Sequence, residues 1–96
     1  MKAISDIDYT TLPEALRGGV RRWIESGIQP GGLLSAVIAN DLRQALLRAD
    51  PFNLSLIPAI IGWFLDQAPS KCWGSVAEAE GWAARHQRYF RLGKCT

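Results

Sequence analysis

The stretch Pro30-Gly31-Gly32-Leu33-Leu34-Ser35-Ala36-Val37-Ile38-Ala39-Asn40-Asp41-Leu42-Arg43-Gln44-Ala45-Leu46-Leu47-Arg48 decides the fold class. Leu33, Leu34, Val37, Ile38, Leu42, Ala45 and Leu46 recur at three- and four-residue steps, the period of a helix that buries one stripe. No alternation of apolar and polar residues competes for a strand. Pro30-Gly31-Gly32 marks the turn ahead of this helix. On a 100° wheel Asp41 falls near the middle of the stripe, with Arg48 on the same side two turns later. A carboxylate there needs a charge partner or donors, because desolvating it alone costs several kcal/mol. Two readings fit: an internal ion pair of Asp41 with Arg48 or Arg21, and a polar pocket where Asn40, Asp41 and Arg48 meet a ligand or partner.

Upstream, Thr11-Leu12-Pro13-Glu14 offers a threonine cap with glutamate three residues on, so a first helix is expected from there to Gly27. Leu12, Leu16, Val20, Trp23 and Ile24 form its stripe, and Gly18-Gly19 in its middle asks for close packing or a bend. Downstream, Asp50-Pro51 supplies an acidic cap followed by proline in the first helical position. The third helix should turn Leu54, Ile57, Ile60, Ile61, Phe64 and Leu65 inward, and Pro58 predicts a kink or a late start. Ala68 to Gly74 reads as a loop. Ser75-Val76-Ala77-Glu78 is a capping box, and a fourth helix is expected to run to about Arg91. The expected architecture is all-α, one compact bundle of about four helices: an N-terminal arm over 1–10, the helical domain over 11–92 and a tail over 93–96.

Ninety-six residues, nearly half of them apolar, are enough for one core and one domain. The longest apolar runs are too short to span a bilayer, and the N-terminus lacks the apolar core of a secretory signal. Cys72 and Cys95 make neither a CxxC nor a disulfide framework, so a reduced cytoplasm is the expected compartment. Charge is unevenly spread: residues 85–96 hold Arg85, Arg88, Arg91 and Lys94 without an acid, which leaves seven basic and nine acidic groups in the rest.

Several positions carry candidate chemistry. Gly31 and Gly32 ahead of a helix would let a phosphate approach free backbone N–H groups, although the lysine and spacing of a phosphate-binding loop are missing and a plain inter-helix turn explains them too. Arg21 and Arg22 beside Trp23 have the composition of a recognition surface, or of a solvated face. Arg85, Arg88 and Arg91 would line one side of a basic amphipathic helix whose other side carries Ala79, Ala83, His86 and Phe90. Such a helix suits phosphates, acidic lipid or an acidic protein groove, with Tyr89 available for stacking, and equally reads as a plain solvated face. Trp73, in the loop Cys72-Trp73-Gly74-Ser75, either plugs the core or anchors an interface. His86 is the single histidine and sits on an apolar stripe, so neither a catalytic pair nor a metal ligand set is expected, and no cofactor. Four tryptophans in so short a chain leave aromatic area for a partner or a second subunit, and a homodimer is among the expectations.

The run Gly19-Val20-Arg21-Arg22-Trp23-Ile24-Glu25-Ser26-Gly27-Ile28-Gln29-Pro30-Gly31-Gly32-Leu33-Leu34-Ser35-Ala36-Val37-Ile38-Ala39-Asn40-Asp41-Leu42, with Arg48-Ala49-Asp50, Asn53, Ala68-Pro69 and Cys72-Trp73-Gly74-Ser75, resembles a group of small uncharacterised proteins encoded in tailed bacteriophages and prophages. The resemblance covers roughly residues 12 to 82. The chain departs from that pattern at Leu65-Asp66-Gln67, where a tyrosine-asparagine or similar pair is expected, and in a longer basic tail. The resemblance implies a phage or prophage origin, no known active site, and action in the host bacterial cytoplasm by occupying a host protein, a nucleic acid or a signalling nucleotide. The expected function is therefore a non-enzymatic accessory protein that inhibits or modulates a host component, such as a defence system. Arg21, Arg22, Asn40, Asp41, Arg48 and Trp73 are its candidate binding residues. The alternatives are a nucleic-acid-binding regulator using the basic C-terminal segment, and a sponge in which Arg48 and the Pro30–Gly32 turn hold a nucleotide.

Overall fold

Two residues in the left-handed region, Asn40 at φ 57° and Gln87 at φ 59°, end helices where the sequence reads continuous ones. In the computed structural model, which describes residues 4–91, six α-helices follow one another: α1 Glu14–Ser26, α2 Gly32–Ile38, α3 Leu42–Arg48, α4 Pro51–Leu54, α5 Ile57–Gln67 and α6 Val76–Arg85. Short 3-10 turns sit at Ile4–Asp6 and Ser70–Cys72. Among the described residues there is no strand, and the helices form a single globule of 12.3 Å radius of gyration. The expectation of about four helices is thus right in class and low in number.

The expected second helix is two. Behind Ile38 the Asn40 N–H bonds to the Val37 carbonyl at 3.0 Å and the Asp41 N–H to the Ala36 carbonyl at 2.8 Å, a Schellman ending with asparagine in the left-handed position. Asp41 then caps α3, its carboxylate accepting from the Gln44 N–H at 3.1 Å. Asp41 therefore belongs to no buried stripe. α3 restarts with a different phase, so Gln44 and Ala45 are buried while Leu42 and Leu46 face outward, against expectation.

The third expected helix also divides. Asp50 caps the single turn α4 through the Asn53 N–H at 2.7 Å, with Pro51 in the first position as expected. The late start that Pro58 predicts is found: α5 begins at Ile57, so proline occupies the first turn, where a missing N–H removes no helical bond. Ile57, Ile60 and Phe64 are buried as expected, but Leu54 and Leu65 are exposed. At the first helix the expected threonine cap is not used: α1 begins at Glu14 behind Pro13, with no side-chain capping bond, and it passes Gly18-Gly19 unbroken.

α2 is buried from Leu33 to Ile38 on every side, which marks it as the central helix that the others cover. Around it lie Leu12, Val20, Trp23, Ile24, Ile60, Phe64 and Cys72, all essentially inaccessible. Three tryptophans are buried with their indole N–H satisfied: Trp23 donates to the Cys72 carbonyl at 3.0 Å, Trp82 to the Trp23 carbonyl at 3.0 Å and Trp63 to the Asp8 carbonyl at 2.8 Å. The first two bonds tie α1, the Ser70–Cys72 turn and α6 together, and the third ties α5 to the N-terminal arm.

Ser75 caps α6 as expected, accepting from the Glu78 N–H at 3.0 Å. The helix stops at Arg85 and not near Arg91. Gln87 N–H bonds to the Ala84 carbonyl and Arg88 N–H to the Ala83 carbonyl, a second Schellman ending, and residues 86–91 turn back as a strap. Phe90 anchors the strap: its ring is buried 5.4 Å from Trp23. Gln29 seals it through reciprocal bonds with the Arg91 backbone. Gly27, at φ 67°, lets His86 pack on it; a Cβ there would stand 2.7 Å from that of His86.

Candidate functional site

The Gly74 N–H donates to the Ile38 carbonyl at 2.8 Å, and this bond lays the Cys72–Ser75 loop against the end of α2. Trp73 consequently stands beside the Asn40-Asp41 corner, about thirty residues away in sequence. Its ring lies 5.2 Å from Phe64 and is half-buried, so it rests on the core and faces outward at once. The two readings of Trp73, plug and anchor, describe its two faces.

Together these groups close one end of a groove of about 310 Å³. Ala36 and Val37 of α2 form the floor, Leu42 and Ala45 of α3 one wall, and Ile61 and Leu65 of α5 the other. Leu42 is 61% exposed and Leu65 73% exposed, high values for leucines lining a concave surface. Asn40 and Asp41 are the polar groups at the rim. The groove is thus apolar with a few polar groups at one end, the composition of a site that takes an apolar side chain and orients it.

Other expected residues are placed elsewhere. Arg21, one of the two expected partners of Asp41, pairs instead with Glu25 at 3.0 Å on the exposed face of α1 and lies over the Tyr9 ring. Arg48 Nε donates to the Gln44 side chain at 3.0 Å, and its guanidinium lies across Gly32, where a Cβ would meet it at 2.9 Å. The pocket shared by Asn40, Asp41 and Arg48 is corrected accordingly: the groove holds the first two, while Arg48 points to another side. There Arg22, Gly31 and Gly32 border a separate hollow of about 320 Å³. Arg48 lies against Gly32 on the side where a Cβ would stand and does not line that hollow.

Arg85, Arg88 and Arg91 are exposed, but they do not line a helix. Arg85 stacks 5.3 Å from the Trp82 ring in the last turn of α6, and Arg88 Nε donates to the Ser26 carbonyl at 2.9 Å. Both cations sit at helix C-termini, where unsatisfied carbonyls favour positive charge, and this local role accounts for them. Tyr89 is 84% exposed beside them. Lys94 lies outside the described residues.

The reactive groups have structural surroundings. Cys72 is fully inaccessible, and burial pushes its thiol up to about 12, which keeps it protonated at neutral pH. Tyr9 is likewise pushed up to about 12, first by burial and then by Glu25. His86 Nδ1 lies 3.1 Å from the Trp82 carbonyl, so the ring packs as a hydrogen-bonded side chain between α6 and Gly27. Among the described residues no three histidine, cysteine or acidic side chains gather as a metal site, and no helix is long and apolar enough to cross a membrane.

The chain matches no known protein-family model, curated protein or solved structure. The groove is therefore read from its own chemistry. Sequence reasoning named Asn40, Asp41 and Trp73 but missed the apolar walls, because it turned Leu42 and Leu65 inward. Asp41-Leu42-Arg43-Gln44 carried the missing signal: an acidic cap with glutamine three residues on restarts a helix and resets the phase of everything after it.

Proposed function

We propose that this protein is a non-catalytic binding module, and that the groove between α3 and α5 receives an apolar side chain or helix face of a protein partner. The observation that carries this reading is the groove itself: Leu42 of α3 and Leu65 of α5 line it while mostly exposed, and Asn40, Asp41 and Trp73 line it with them. Fully burying one leucine is worth about 1.5–3 kcal/mol, so covering the exposed parts of this pair contributes roughly 2–4 kcal/mol to association. An aromatic anchor with a polar rim is the usual anatomy of an interface centre.

The resemblance to phage and prophage proteins supports a host protein as that partner. In this reading the chain occupies a component of the host cytoplasm stoichiometrically and inhibits or modulates it, as an anti-defence protein does. Immobilised wild-type protein and the variants Leu42→Asp, Leu65→Asp and Tyr89→Ala are compared in host lysate. One host protein retained near one-to-one by wild type and by Tyr89→Ala, and reduced at least tenfold by both groove variants, is the expected result. A partner whose retention ignores the groove variants overturns the reading, as does one that follows Tyr89.

A further inference from the structure

On the side of α5 away from Ile61 and Leu65, Phe52 projects from α4 with 72% of its surface exposed. It is held rigidly. Asp50 and Pro51 fix the turn that carries it, and Ser55 Oγ donates to the Phe52 carbonyl at 2.8 Å. It helps to line a hollow of about 530 Å³ together with Leu12, Pro13, Ala15, Leu56 and Ala59. Glu14 and Arg17 stand at its edge. Arg17 is fixed in place by donating to the Leu12 carbonyl at 2.9 Å and to the Thr10 carbonyl at 2.8 Å.

We infer that this face pairs with a second copy of the chain about a two-fold axis, the Phe52 ring of each copy entering the hollow of the other. A two-fold contact requires one patch to be its own complement, each residue meeting in the partner what the partner's equivalent meets in it. A projecting aromatic ring next to an apolar hollow satisfies that condition within a single patch. An unrelated partner must supply both a ring and a hollow at the same spacing; a second copy has them by construction. The edge charges agree, because Glu14 and Arg17 are of opposite sign and swap partners across a two-fold axis, whereas a polyanion would meet Glu14 as a like charge. The pairing leaves the groove between α3 and α5 open, so it stands apart from the function proposed above.

Sedimentation velocity from about 1 µM to 1 mM tests it, with circular dichroism as the control for folding. Wild type is expected to move from monomer to dimer mass across the range. Phe52→Ser, at an exposed position, should keep the helical spectrum and weaken dimerisation at least tenfold. Ala59→Arg, which fills the hollow from its far wall, should do the same, while Phe52→Leu should restore most of the association. Wild type that stays monomeric to 1 mM overturns the inference. A dimer indifferent to Phe52→Ser and Ala59→Arg overturns it as well. So does a dimer abolished by Leu65→Asp alone, a result that would assign self-association to the groove and remove the proposed partner site.

Discussion

Replacing Gln87 by glycine separates the strap from the continuous helix by the sign of a stability change. Gln87 sits at φ 59°, and its own N–H and that of Arg88 make the two bonds that end α6, to the Ala84 and Ala83 carbonyls. A side chain in the left-handed region costs about 1–2 kcal/mol, which glycine does not pay. Against this, glycine costs about 0.5–1 kcal/mol in chain entropy. The Gln87 side chain is exposed, so little packing is lost. The net expectation is that Gln87→Gly stabilises by about 0.5–1 kcal/mol. In a domain under a hundred residues one kcal/mol moves Tm by about 4–8 °C, so a rise of roughly 2–8 °C is expected by calorimetry. Urea unfolding should show a higher midpoint with an unchanged slope. Had α6 run on to Arg91, the same glycine would lie inside a helix and cost up to about 1 kcal/mol. A fall in Tm would therefore refute both the strap and the anchoring role given to Phe90.

Two further outcomes follow from the same geometry. Asp41→Ala removes a helix cap and should cost about 1 kcal/mol in urea unfolding. A loss of about 3–5 kcal/mol would instead show a buried ion pair, the arrangement first read from the wheel. The second concerns alkaline pH. In the folded chain Cys72 and Tyr9 both titrate near 12, above their ordinary values of 9.0 and 10.0. The unfolded chain therefore loses these protons first. Their contribution to stability is complete below about pH 9 and declines as pH rises toward 12. Unfolding midpoints measured from pH 8 to 11 should fall, and Cys72→Ala should flatten the first part of that fall. A pH-independent midpoint would show that the thiol is not desolvated in the folded state.

The helix starts at Pro51 and Val76 were readable because a cap is a local device: Asp50 and Ser75 act on N–H groups three residues away. The proline rule worked at Pro58 for the same reason. The stripes of α1 and α2 were readable because a helix that stays in phase keeps its buried face. Legibility failed wherever the phase was reset. Asn40 is an unremarkable residue in a helical run, yet once it turns left-handed, Asp41 passes from the buried stripe to a cap and Leu42 passes to the wall of a groove. Of the candidate site, Asn40, Asp41 and Trp73 were named from the sequence, but the contact that unites them, Gly74 with Ile38, links segments without any shared local signal.

By itself the sequence determined the all-helical class, the inward stripe of Leu33, Leu34, Val37 and Ile38 and the capped starts at Asp50 and Ser75, since periodicity and capping act within one or two turns of chain. Only the tertiary structure decided that the basic C-terminal segment is a strap, that the fourth tryptophan faces a groove, and that two leucines of apparently buried stripes stand in its walls. The physical reason is range. A Schellman ending competes locally with another helical turn, and contacts such as Phe90 on Trp23, sixty-seven residues apart, tip that choice.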